Sequence, residues 1–305
     1  MNLSSNRIAV WALAACIAAG LAAHAFAQGT AQGTAQGAAQ GSAPEPAAGQ
    51  NGEHGLNAAQ IVEKNVAARG GAEAWRKIQT MVWVGHVESA NVAVPTLPFV
   101  LELKRPNKTR FEITALNQVA VRVYDGINGW KLRPTRSGKP DLQPYTSDEL
   151  KFAHEEQVID GPLIDYQTKG IAVSLDGTDE IEGRKAYRLN VRLPSGISHH
   201  VWVDAQSFLD IKYDRESRNV IGQSATVSVF YRNYQTVEGL QIPATIETGV
   251  GAVQPKNRLV IEKIALNPPL EDWRFGKPGT QGRNNAVSIG AGTAQAVREA
   301  GRPAR

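Results

Sequence analysis

The stretch from Lys185 to Tyr213, KAYRLNVRLPSGISHHVWVDAQSFLDIKY, constrains this chain more than any other. Tyr187, Leu189, Val191 and Leu193 alternate with Arg188, Asn190 and Arg192, the two-residue period of a strand with one dry face and one wet face. Pro194-Ser195-Gly196 turns the chain and Val201 and Val203 resume the alternation. Asp204 to Ser207 turn it again before Leu209, Ile211 and Tyr213 alternate against Asp210 and Lys212. Three successive strands of this kind make an antiparallel meander whose apolar face needs a cover.

The same pattern recurs on both sides. Strands are expected at Thr80 to Ser89, Leu97 to Lys104, Thr109 to Ala115, Gln118 to Tyr124, Gly129 to Arg133, Ile171 to Leu175, Thr226 to Tyr234, Leu240 to Thr248 and Arg258 to Leu266. Asp125 to Gly129 lacks the further acidic ligands of a calcium loop and reads as a hairpin turn. Helices are few. Asn57 and Gln60 spell a capping box for a helix that presents Ile61, Val62 and Val66 and stops at Gly70-Gly71. The segment AEAWRKI adds a short turn, and Ser147 caps a helix with Leu150, Ala153 and Gln157 inward. Asn267-Pro268-Pro269 ends the sheet, after which Trp273 and Phe275 are placed to close one end of it.

The ends of the 305-residue chain differ from this middle. Residues 1–27 carry one charge, Arg7, an Ala-rich apolar run and Ala25-Phe26-Ala27, the pattern of an export signal cut after Ala27. Leu13-Ala14-Ala15-Cys16 also fits the site at which bacterial lipoproteins are cut and acylated, but the residues after Cys16 stay apolar, which favours cleavage at Ala27. Residues 28–55 repeat an Ala-Gln-Gly-Thr-like unit without large apolar side chains, a flexible linker. Residues 56–277 are the folded β domain, and 278–305 read as a disordered tail. Cys16 is the only cysteine, so the exported domain stands without disulfides. Its balanced charge, +4 for the whole chain and evenly interleaved, argues against nucleic acid as a partner.

Catalytic patterns are thin. His199 and His200 are neighbours on a strand and point to opposite faces, so they cannot grip one metal. His154-Glu155-Glu156 lacks the second His of a zinc protease helix, and Ser195 lacks the strand-turn-helix setting of a nucleophile elbow. A hydrolase reading would need His200 and Asp204 to converge with a nucleophile in a cleft. No cofactor, metal ligand set or acid-base pair is expected.

About a dozen strands, each offering roughly three large apolar side chains to one face, stand against about three short helices. Each such side chain left in water forgoes about 1.5 to 3 kcal/mol, so the sheet must curl or close. Periodicity alone leaves two outcomes open: a filled barrel or sandwich acting as an envelope-tethered structural or interaction domain, or a hollow capped by helices that takes a greasy ligand.

Residues Val100 to Arg133 resemble the periplasmic lipoprotein-carrier superfamily, the LolA/LolB-like lipoprotein-sorting proteins. The matching residues are Lys104-Arg105-Pro106-Asn107, the alternating strand pair after them, Asp125-Gly126 and Trp130, and the order of elements agrees over roughly residues 56 to 277. The resemblance implies an unclosed antiparallel half-barrel with a helical lid. It also implies a non-enzymatic periplasmic carrier or chaperone in lipoprotein sorting and outer-membrane biogenesis, with lipoprotein or lipid cargo and membrane transfer proteins as partners. Arg105 would latch the lid, its guanidinium having five donors suited to the orphan carbonyls of a helix end. Acyl chains would lie among Phe99, Leu101, Leu103, Phe111, Ile113, Val121, Val123, Trp130, Ile61 and Val66.

Overall fold

The computed structural model describes residues 55–89, 96–115, 118–135, 137–156, 158–218, 224–250 and 257–279. The expected export signal, Cys16, nearly all of the linker and all but the start of the tail lie outside these residues. Asn57 caps α1 (Ala58–Ala68): its side chain accepts from the Gln60 backbone N–H, and the Gln60 side chain accepts from that of Asn57. A five-residue helix, α2 (Ala72–Arg76), follows. Six strands come next: β1 (Thr80–Ser89), β2 (Thr96–Lys104), β3 (Lys108–Ala115), β4 (Gln118–Tyr124), β5 (Gly129–Arg133) and β6 (Asp141–Pro144). Helix α3 (Ser147–Glu155) then leads into turns up to Ile171. Seven further strands complete the sheet: β7 (Ala172–Ile181), β8 (Arg184–Arg192), β9 (Ser198–Asp204), β10 (Asp210–Arg218), β11 (Ser224–Val237), β12 (Leu240–Val250) and β13 (Asn257–Leu266).

All thirteen strands form one antiparallel sheet in the order β6-β5-β4-β3-β2-β1-β13-β12-β11-β10-β9-β8-β7. The chain therefore walks outward from β1 to β6, crosses from that edge to the opposite edge, and walks back from β7 to β13. Strands β1 and β13 meet in a central seam, with Met81 opposite Leu266. Edges β6 and β7 do not pair, so the sheet stays open. This is the mainly β, unclosed architecture capped by a few short helices that the resemblance implies.

Two faces follow from the registers. Phe99, Leu101 and Leu103 of β2 lie beside Met81, Trp83 and Gly85 of β1 on one side and Phe111 and Ile113 of β3 on the other. They pack with Trp75, Ile78, Ile159, Ile164, Leu259 and Ile261. On the other wing Leu189, Val191, Val201 and Val203 pack with Ile61 and Val62 of α1 and with Leu163 and Ile171. The helices and the crossing segment thus cover a single face, the inner one. The outer face has its own cluster, Val82, Val121, Val123, Leu132, Ala265, Leu270 and Phe275.

Three details differ from the sequence reading. The cap of α3 is Thr146, one residue earlier than Ser147, because its hydroxyl accepts from Glu149 N–H while the Glu149 carboxylate accepts from Thr146 N–H. Strand β6 carries no apolar alternation and was not expected. Of the two aromatic residues after the Pro-Pro pair, Phe275 is fully buried, whereas Trp273 is 63% exposed and closes nothing.

Candidate functional site: the inner face and its lid

The Lys104-Arg105-Pro106-Asn107 turn sits where the covering elements converge. Arg105 donates from Nε to Ile78 O (2.7 Å) and from Nη2 to Trp75 O (3.1 Å), the carbonyls at the C-terminal end of α2. Its Nη2 also reaches Asp160 Oδ2 at 2.8 Å. Asp160, 3% exposed, lies in the crossing segment and takes a second cation, Lys169, at 2.7 Å. Asn107 donates to His154 O in the last turn of α3 (2.8 Å). Arg69, the C-cap of α1, donates to Asp160 O (2.9 Å), and its own carbonyl accepts from Trp75 Nε1 (3.0 Å). On the far side, Asn65 of α1 donates to Phe208 O and Asp210 Oδ1. One network of side chains therefore ties α1, α2, α3 and the crossing segment to each other and to the sheet.

The anticipated hollow residues divide between the two faces. Phe99, Leu101, Leu103, Phe111 and Ile113 share the inner face, Ile61 packs farther along it under α1, and Val66 touches both inner clusters. Val121, Val123 and Trp130 point outward, which corrects the expectation that they line the hollow. Phe111 pairs with Arg122, so β4 turns Arg122 inward and its valines outward. Val123 pairs with Trp130, which carries that phase into β5.

What β4 and β5 present inward is charge. Arg122 Nη2 lies 3.0 Å from Glu149 Oε1, and Lys131 Nζ lies 2.8 Å from Glu149 Oε2. Burial alone would raise the Glu149 carboxyl, but Arg122, Lys131 and the Thr146 N–H together hold it at about 2.

The middle of the other wing is also polar. Tyr213 and Arg215 of β10 share the inner face with Val201 and His199 of β9 and with Val229 and Val227 of β11. The His199 and Tyr213 rings are 5.3 Å apart, and the Arg215 guanidinium stacks 4.2 Å over Phe152 of α3. Burial, with Arg215 adding to it, lowers the His199 imidazole to about 4. Glu156, the C-cap of α3, is raised by burial to about 8 even though Arg215 and Arg122 oppose the rise. Burial likewise pushes the Tyr213 and Tyr231 phenols far above their usual value. Yet Glu156, Tyr213 and Tyr231 each keep part of their surface accessible.

The hydrolase reading does not assemble. His200 faces Asp214 (3.3 Å) and Asp176 (3.4 Å), while Asp204 accepts from Gln206 N, Ser207 N and Ser207 Oγ within its own turn. Ser195 Oγ donates to Glu155 Oε2 at 2.8 Å. Among the described residues no group of three or more His, Cys, Asp or Glu is placed to hold a metal ion, and no helix is long and apolar enough to cross a membrane.

No protein-family model and no curated protein matches the chain. Solved structures similar to it include LolA superfamily members. A LolA superfamily protein from Nitrosomonas europaea aligns at 16% identity over 73% of this chain and 99% of its own, with a TM-score of 0.46. A domain named for outer membrane lipoprotein sorting, from Vibrio parahaemolyticus, aligns at 14% identity over 72% and 96%, with a TM-score of 0.47. A DUF1329 family protein from Desulfovibrio piger aligns at 11% identity over 72% and 98%, with a TM-score of 0.44. The likeness is one of fold.

Proposed function

We propose that this protein is an exported, non-enzymatic carrier that shelters a lipid, or the acyl chains of a lipoprotein, between the inner face and its lid. The carrying observation is topological. The sheet is open, its inner face is apolar on both wings, and the one segment that crosses from edge β6 to edge β7 is held over that face by side-chain bonds centred on Arg105 and Asp160. A cover fastened by side chains can lift without unpairing a strand. Cargo would enter along Phe99, Leu101, Leu103, Phe111 and Ile113, with Ile61 and Val66 moving away with α1. Periplasmic residence and hand-over between membranes belong to the same reading.

Lipid extraction and native mass spectrometry of the protein purified from its own envelope test it. A bound lipid is expected. Protein that carries none and also fails to bind a fluorescent fatty acid would refute the carrier reading. Arg105→Leu removes three hydrogen bonds, one to a buried carboxylate, and should speed cargo release about tenfold or more. Unchanged transfer rates would remove Arg105 from the latch.

A further inference from the structure

The two most exposed large apolar side chains among the described residues, Ile127 (78%) and Trp273 (63%), lie at one end of the sheet. Ile127 is in the β4–β5 turn, and Trp273 is in the single 3-10 turn Asp272–Phe275 that follows β13. Lys108 joins the two turns: a Cβ at Gly126 would lie 3.9 Å from its Cγ, and its Nζ is 3.0 Å from Asp272 Oδ2. We infer that this end touches a lipid surface, with Trp273 and Ile127 entering the interfacial layer of the bilayer. This rests on the carrier reading, since a carrier must meet the membrane that supplies or takes its cargo.

Three observations support it. The first is that both side chains are held out by well-bonded turns. Leu270 and Phe275, on either side of Trp273, are buried in the outer cluster, Lys104 Nζ donates to Leu270 O (2.6 Å), and Arg110 Nη1 donates to Arg274 O (2.9 Å). In the other turn Asp125 Oδ1 accepts from Ile127 N (2.8 Å) and Asn128 N (2.6 Å). Each fastened turn thus leaves a large apolar group in water, which is unfavourable until something covers it. The second is size. Two side chains with lysine and aspartate between them fall far short of the roughly 800 Å² that each partner buries in a specific protein contact or stable dimer, whereas a bilayer accepts single side chains. The third is chemistry. An indole, apolar with one N–H, suits the head-group layer. Lys104 and Lys108 face each other across the β2–β3 hairpin and both bond Asp272, so their stems flank the turn while their heads stay at the polar level. The sequence after Gly279 adds Arg283, Arg298, Arg302 and Arg305 against Glu299 alone, a charge complementary to anionic head groups.

The same end carries the latch. Lys104 and Lys108 bracket the turn that holds Arg105, whose guanidinium fastens the end of α2 and Asp160. A bilayer met by Trp273 therefore lies beside the corner where the lid is tied down. Two side chains give weak, reversible contact, which suits docking for transfer rather than permanent anchoring.

Flotation of the full chain with phosphatidylcholine vesicles, plain or with about one third phosphatidylglycerol, tests this. The protein should float with the anionic vesicles, and Ile127→Ser and Trp273→Ser should each lower vesicle affinity about tenfold. The double variant should keep its melting temperature and its binding of a fluorescent fatty acid, yet deliver that fatty acid to acceptor vesicles more slowly. A double variant that floats as well as the unsubstituted protein overturns the inference. Unsubstituted protein that binds the fatty acid but never floats overturns it too and leaves the carrier reading standing. Self-association in sedimentation, lost in the double variant and unaccompanied by flotation, would give this end to a second copy and overturn the membrane contact. Neither flotation nor fatty-acid binding ends both readings.

Discussion

Glu156→Gln gives the sharpest test of how the inner wall is built. The Glu156 carboxyl has an ordinary value of 4.5 and is raised to about 8 in the fold, chiefly by burial, with Arg215 and Arg122 working against the rise. Between those two pH values the native chain holds a proton that the unfolded chain has released, so stability falls as pH rises through the window. At 1.36 kcal/mol for each pH unit the ceiling is about 5 kcal/mol. Glu156 retains accessible surface, so solvent screens part of this, and about 2 kcal/mol is the working figure. Gln keeps the shape and has no proton to lose. For a domain of this size 1 kcal/mol moves the melting temperature by about 2 to 4 °C, so from pH 5 to pH 9 the unsubstituted protein should lose about 4 to 8 °C relative to Glu156→Gln. The groups facing Glu156 include Arg122 of β4, Tyr145, Tyr213 and Arg215 of β10 and Tyr231 of β11, none of which changes charge in that range. Melting curves followed by circular dichroism at half-unit pH steps read the difference. Parallel curves for the two proteins would show that Glu156 is not desolvated by the lid and would refute the reasoning.

His199 has the opposite sign: its native value of about 4 lies below the ordinary 6.5, so the unfolded chain takes up a proton first and stability falls on acidification through that window. His199→Phe should flatten this acid limb of the melting profile, and an unchanged limb would assign it to other groups. Arg274 donates to Glu102 beneath the outer face, both side chains being buried, and Arg274→Met should cost about 1.5 to 3 kcal/mol in a urea titration by removing a charge-assisted hydrogen bond to that carboxylate. A loss below about 1 kcal/mol would mean that water reaches the pair. A Cβ at Gly85 would meet Val260 O at 1.9 Å, a backbone atom of the seam that cannot swing aside. Gly85→Ala should therefore destabilise by more than about 2 kcal/mol, and a neutral effect would show that the seam can spread.

Most strands could be read from the sequence because alternation survives wherever one face is wet, as from Tyr187 to Leu193. What alternation does not supply is phase. In β4 the apolar set Val119, Val121 and Val123 is as regular as that of β2, yet the Phe111–Arg122 register sends it to the outer cluster with Phe275. A single period of two cannot tell an inner from an outer apolar row when both faces of the sheet are covered. Ion pairing decides the phase here, because Arg122 and Lys131 point inward to Glu149 of α3, a partner far from both in sequence. The polar stretch around His199, Tyr213 and Arg215 was hidden for a related reason: His199 lies on β9 and Tyr213 and Arg215 on β10, and together they make no local motif. Arg105 was more legible, since a guanidinium at a strand end has five donors to place, and they reach the Trp75 and Ile78 carbonyls at the end of α2.

The seam between the first and last strands has a consequence for how the polypeptide acquires its shape. Each wing is a run of hairpins whose pairings are local, whereas Met81 can meet Leu266 only after the whole domain has been synthesised. Closing so long a loop is entropically slow, which makes that single ladder the natural last step. Two half-sheets would then form independently and join late, and the exposed edges of β1 and β13 are where a chaperone holding the newly made chain would have most to protect.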